Sequence, residues 1–145
     1  MNKEITLVKA LQYKRLFTLM CNNKASIKFN YAVLKNLTSL SKAIQETEKI
    51  RDDILKSDLE LSNQIKEYEQ ELLELNKSES TTYKKDYDAL KNKYSRAYEK
   101  RIELLSLPVV FNTYRFNMTD LTNVFEDHTA EIASLLLELD LLEDG

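Results

Sequence analysis

Residues 37–75 read LTSLSKAIQETEKIRDDILKSDLELSNQIKEYEQELLEL, and one set within them recurs at steps of three and four. Leu37, Leu40, Ile44, Thr47, Arg51, Ile54, Asp58, Leu61, Ile65, Tyr68, Leu72 and Leu75 form this seam. A mean spacing near 3.5 residues keeps a helical stripe facing a partner helix along its length. A second seam follows at Tyr83, Tyr87, Leu90, Tyr94, Ala97, Arg101 and Leu104. Between them, residues 76–82 (NKSESTT) are polar and rich in helix-capping side chains, which predicts a turn. Folded back there as an antiparallel hairpin, the seams meet in one register. Leu75 faces Tyr83, Leu72 faces Tyr87, Tyr68 faces Leu90, Ile65 faces Tyr94, Leu61 faces Ala97 and Ile54 faces Leu104. The same register sets Asp58 opposite Arg101, an expected structural pair that would lock the alignment at a cost in stability.

Working outward, the first arm predicts one helix over 31–76, about 69 Å long at roughly 1.5 Å per residue. The second arm stops by Leu107, because Pro108 disfavours helical geometry in the residue before it. Residues 4–21 predict a helix with Leu7, Ala10, Leu11, Tyr13, Phe17 and Met20 on a broad apolar face. Asn22-Asn23 is a break. Residues 25–29 are short enough for a small strand, with Asn30 as N-cap of the long helix and Phe29 and Leu34 placed as a hydrophobic staple. Residues 109–116 are rich in β-branched and aromatic side chains and form the best strand candidate. Thr119 could cap a short helix to Phe125. Thr129 or Asp127 could cap a last one, with Ile132, Leu135, Leu136 and Leu139 on one face.

The expected fold is therefore all-α in the main: a long antiparallel helical hairpin of coiled-coil type with a small head containing one or two short strands. A chain of 145 residues supports one domain, 1–145, with the head at approximately 1–50 plus 105–145 and the stalk at approximately 51–104. One glycine and one proline agree with long uninterrupted helices, since both residues punctuate them. Cys21, the only cysteine, excludes an internal disulfide and a cysteine metal cluster, and favours an intracellular setting. The first twenty residues lack a signal-peptide core, and nothing approaches the apolar length of a membrane span.

The net charge of −3 conceals a polarity. Residues 1–42 carry eight cations against Glu4 alone, a net of +7, whereas residues 116–145 carry eight acids and no Lys or Arg. Either the two ends attract each other, which opposite charges favour, or the basic third is a nucleic-acid face. In the second case phosphate contacts would come from Lys9, Lys14, Arg15, Lys24, Lys28 and Lys35, and Tyr13, Tyr31 and Tyr114 would be the stacking candidates. Arg51, past the end of the second arm, would meet an acid such as Asp127 or Glu131.

No catalytic constellation stands out, and the chain is expected not to be an enzyme. His128 is the lone histidine, and the one glycine is the last residue, so no Gly-rich loop can cradle phosphates. Glu46, Glu48, Asp52 and Asp53 lie close together without a nearby histidine and read as a solvated face; no metal and no cofactor is expected. Tyr68, Tyr83, Tyr87 and Tyr94 are seam residues, so their spacing says core. In the last helix Leu137 and Leu141 lie off the main stripe, so Leu135, Leu137, Leu141 and Leu142 are candidates for contact with a partner protein or a second copy of the chain. Few apolar residues, such as Leu59 and Leu73, remain on the outside of the stalk for a four-helix pairing.

The order of parts carries a resemblance. A short basic helix leads to Ala25-Ser26-Ile27-Lys28-Phe29, then to the helix start Tyr31-Ala32-Val33-Leu34-Lys35-Asn36. A charged helix follows through Ile44 to Arg51, then a β-type segment and a closing Thr129-Ala130-Glu131-Ile132 helix with an acidic end. This layout, with its Lys- and Asn-rich composition, resembles small helical proteins of unknown function encoded by phages and prophages of Gram-positive bacteria. The hairpin between about residues 57 and 98 is longer than that pattern. The resemblance implies a virus-encoded accessory protein in the host cytoplasm, an assembly factor or an inhibitor of a host system, and supplies no catalytic residues. Binding to a phage or host protein is the first expected function, nucleic-acid binding the alternative, and self-association is open.

Overall fold

Thr6 sets the start of the first helix. Its hydroxyl accepts a hydrogen bond from the Lys9 amide (3.4 Å), and its extended backbone leaves the residues before it free to form a strand. The structure is a computed structural model describing residues 2–21, 26–117 and 129–143. Among the described residues the order is β1 (Asn2–Thr6), α1 (Leu7–Met20), α2 (Ile27–Lys56), α3 (Leu59–Lys77), α4 (Tyr83–Lys93), α5 (Ser95–Leu105), β2 (Pro108–Asn112), β3 (Phe116–Asn117), α6 (Thr129–Glu138) and β4 (Leu142–Glu143). The protein is mainly α-helical with a small antiparallel sheet of β1 and β2, Asn2 pairing with Asn112 and Thr6 with Pro108. A two-residue parallel pair joins β3 to β4. No helix among the described residues is long and apolar enough to cross a membrane.

Three sequence expectations change. Ile27–Phe29 belong to α2 and form no strand, because the Ser26 hydroxyl accepts the Phe29 amide (3.1 Å) and caps the helix four residues before Asn30. The strand of the first segment is β1, whose five residues gain a full ladder on β2. The first arm is not continuous either. Ser57 and Asp58 hydrogen-bond back to Ile54 and Leu55, and the Asp58 carboxylate accepts the Leu61 amide (3.0 Å), so α3 begins anew with its own cap. The second arm breaks at Tyr94, which ends α4 and precedes α5. The short helix expected over 119–125 and the caps expected at Asp127 and Thr129 lie outside the described residues and side chains.

The chain divides into two compact units, residues 1–47 with 108–145, and residues 48–107. In the first, one face of α1 (Leu7, Ala10, Tyr13, Phe17, Met20) packs in a common core with Phe29, Val33, Leu40 and Ile44 of α2, Val109 and Phe111 of β2, and Ile132, Leu135, Leu136, Leu139 and Leu141. Leu40 and Ile44, seam residues within the expected head, serve this core. Two buried polar groups tie α2 to the chain after α5. The Asn36 side chain accepts from the Tyr114 amide (2.9 Å) and donates to its carbonyl (2.8 Å), and Thr47 donates to the Pro108 carbonyl (2.9 Å).

The second unit holds a smaller cluster of Leu61, Ile65, Ala97 and Leu104, with Leu55, Tyr94 and Leu107 packed against it. Its arms are antiparallel, but the register differs from expectation. Tyr68 lies edge-on to Tyr94 and Tyr98, with ring centroids 6.0 and 6.1 Å apart, one and two turns beyond Leu90. Asp58 pairs with Arg96 (2.7 Å) and Arg101 with Glu69 (3.1 Å), so the predicted Asp58–Arg101 lock is replaced by two other pairs. Breaks in both arms, at Ser57-Asp58 and at Tyr94, interrupt the two seams. A heptad carries its phase only along an unbroken helix, and α3 restarts with a phase of its own. Arg51 pairs with Glu48 (3.5 Å) and Asp52 (3.2 Å) on its own helix, not with an acid of the last third.

Candidate interaction surface

The basic residues of the first third divide into those engaged within the fold and those facing outward. On α1, Lys9 and Tyr13 stand one turn apart and both meet Glu138 of α6. The Lys9 ammonium lies 2.6 Å from the carboxylate, and the Tyr13 hydroxyl donates to its other oxygen in a short hydrogen bond. Hydrogen bonds from Lys9 and Tyr13 hold the Glu138 carboxyl below the usual glutamate range. Burial, followed by the Glu138 contact, raises the Tyr13 hydroxyl above its ordinary value. Arg15 pairs with Glu131 (3.5 Å), and Arg115 with Asp140 (2.5 Å). Lys9, Tyr13, Arg15, Glu131 and Glu138 line a groove of about 510 Å³ between α1 and α6. The positive and negative ends of the sequence thus do meet, as their opposite signs favour.

Lys14 and Lys28 are exposed, and Lys24 lies outside the described residues. The Lys35 ammonium lies over two rings, 5.2 Å from the centroid of Tyr31 and 4.6 Å from that of Tyr114. Of the six expected nucleic-acid contacts, Lys9 and Arg15 are thus paired with acids of α6.

The leucines of the last helix are also redistributed. Leu135 is buried in the core, and so is Leu141, which corrects their assignment as partner contacts. The turn after α6 explains Leu141. The Leu141 amide bonds to the Leu136 carbonyl (3.0 Å) and the Asp140 amide to the Leu137 carbonyl (3.2 Å), with Asp140 at φ 53°. This left-handed C-terminal cap reverses the chain and folds Leu141 back onto the core. Leu137, on the opposite face of α6, is 74% exposed. The Leu142 side chain lies outside the described ones. His128 likewise falls outside the described residues, and no group of three or more metal-ligating side chains occurs among those described.

Sequence reasoning missed the outward apolar side chains of α2, and on α1 it set Leu11 on the buried face, where the structure leaves Leu11 exposed. On α1, Val8, Leu11 and Leu19 are exposed while Leu7, Ala10, Tyr13, Phe17 and Met20 are buried, so the helix is apolar on both sides. On α2, Ile27, Tyr31 and Leu34 stand at i, i+4 and i+7, with exposures of 90%, 61% and 50%. That spacing was visible in the sequence, but reading residues 25–29 as a strand separated Ile27 from the other two.

In the second unit a cleft of about 280 Å³ has Leu55, Ile65, Leu104 and Leu105 at its floor and Arg51, Lys66 and Arg101 beside Asp52 and Glu69 at its rim. Arg51 and Arg101 face acids of that same rim, so the cleft is nearly balanced in charge. Burial, with the hydrogen bond to Tyr87 second, pushes the Tyr68 hydroxyl up to about 12. Tyr68 is fully buried and serves as packing, as its seam position predicts.

No family model matches the chain, and neither a curated protein nor a solved structure matches it.

Proposed function

We propose that the chain is a non-catalytic, virus-encoded accessory protein that works in the host cytoplasm by binding another protein, as an assembly factor or as an inhibitor of a host system. The observation that carries the binding reading is the pair of outward apolar stripes on the first two helices, Val8, Leu11 and Leu19 on α1 and Ile27, Tyr31 and Leu34 on α2. Exposed apolar side chains set at helical spacing are the usual mark of a surface that a partner covers. The viral origin and the cytoplasmic site rest on the resemblance in layout.

The nucleic-acid alternative loses two of its six candidate contacts to the acids of α6, Lys9 to Glu138 and Arg15 to Glu131. A gel-shift titration at low salt tests what is left of it, since phosphate contacts give affinity that falls steeply with salt.

The decisive experiment is capture from infected and uninfected host cells with the tagged full chain, followed by mass spectrometry. The two controls are Leu11→Asp/Leu19→Asp and Ile27→Asp/Leu34→Asp, each first shown to melt at the parent temperature. A protein retained by the parent and lost with one control supports the reading. Equal recovery of every protein by the parent and both controls overturns it. Sedimentation equilibrium decides whether the partner is a second copy of the chain.

A further inference from the structure

We propose that the outward face of α2, from Ile27 to Lys42, is the docking surface for an acidic amphipathic helix of the partner; this rests on the protein-binding reading above. Helical spacing places Ile27, Tyr31 and Leu34 directly opposite the buried Phe29, Val33, Asn36 and Leu40. Along one flank of that stripe run Lys28, Lys35 and Lys42, each separated from the next by seven residues. Residues 27–45 contain no Asp or Glu, so no neighbour on the helix offsets Lys28 or Lys35; the first acid of α2 is Glu46, one turn past Lys42. Lys28 and Lys42 form no ion pair among the described residues, whereas Lys9 and Arg15 on α1 are both paired.

The surface is also pre-set. Asn36 fixes the backbone of Tyr114 through two hydrogen bonds, and Lys35 lies over the rings of Tyr114 and Tyr31. Side chains already ordered lose less freedom when a partner arrives, which favours binding. An apolar stripe at i, i+4 and i+7 accepts the matching stripe of another helix. A flank of lysines without acids calls for carboxylates along one edge of the incoming helix. A nucleic acid would answer the lysines but would leave Ile27 and Leu34 without apolar partners.

The test is fluorescence polarisation with the purified full chain and three labelled probes. The first is a synthetic helical peptide with leucines at i, i+4, i+7 and i+11 and glutamates on its flanks. The second carries lysines in place of the glutamates, and the third is a single-stranded oligonucleotide. The expected result is binding of the glutamate peptide alone, weakening as salt is added. Lys28→Glu/Lys42→Glu and Leu34→Ser should each weaken it by about tenfold or more, the scale of a central interface contact. All these positions are exposed, so melting temperatures should stay at the parent value. Equal affinity of the parent and both variants overturns the proposal, as does preference for the oligonucleotide or the lysine peptide. A chain that captures a protein from cells yet ignores the glutamate peptide keeps the protein-binding reading and loses this one.

Discussion

Asp58 acts twice, as the cap of α3 through the Leu61 amide and as the ion-pair partner of Arg96. The backbone hydrogen bond, and then the bond from Arg96, hold its carboxyl below the ordinary aspartate range. Sequence spacing marked Asp58 as an unusual seam residue but named the wrong base. A heptad count assumes an unbroken helix, and Asp58 itself breaks it. Double-mutant cycles in thermal melts should therefore find coupling for Asp58→Ala with Arg96→Ala and for Glu69→Ala with Arg101→Ala, and none for Asp58→Ala with Arg101→Ala. Coupling in the third cycle alone would restore the simple register. Glu138 makes a prediction about pH. Its carboxyl titrates lower in the folded protein than in the unfolded chain, so its contribution is present above the ordinary glutamate value of about 4.3 and is lost as pH falls through the lower folded value. Melting temperature followed from neutral to acid pH should fall less steeply for Glu138→Gln than for the parent over that window. Tyr13 has the opposite sense: its folded value is raised, so its contribution is present below about pH 10 and is lost as pH rises above that.

At the scale of the element, the apolar face of α6 was legible because Ile132, Leu135, Leu136 and Leu139 obey the helical repeat, and all four are buried. The fate of Leu141 was not legible, because it depends on one residue adopting a left-handed backbone. Asp140 takes that role, where glycine is the commonest choice, and its carboxylate pairs with Arg115. Replacing Asp140 with a β-branched residue should cost about 1–2 kcal/mol through the left-handed conformation alone. Urea unfolding of Asp140→Val against Asp140→Asn measures this, since asparagine tolerates that backbone and valine does not. Equal stability of the two variants would show that the cap has little weight. Asn36 is the matching case on α2. It is fully buried, and Asn36→Leu would strand the Tyr114 amide and carbonyl at a cost of about 1–3 kcal/mol by the same measurement. Nothing in the heptad pattern singles out Asn36, because its partner is backbone 78 residues away.

Across the whole molecule, stability should be uneven. The core of residues 1–47 with 108–145 joins helix, strand and α6 side chains, whereas residues 48–107 rest on a smaller set of leucines, Ile65, Ala97 and the packed rings of Tyr68 and Tyr94. No residue of α4 is fully buried. Native-state hydrogen exchange should find the amides of α4 least protected, α3 and α5 intermediate, and α1 and the buried stretch of α2 most protected. Uniform protection over all of them would mean a single cooperative unit and would contradict that order. The long apolar periods by themselves determined a mainly helical protein, two arms that double back, an apolar α6 face, and ends of opposite charge. Those features follow from side-chain spacing and sign, which a sequence displays directly. The tertiary structure alone decided which cations stay free, where the helices break, which tyrosines meet and which leucines remain outside. Each of these turns on a capping hydrogen bond or on a contact between residues far apart in the chain, and local periodicity carries no record of either.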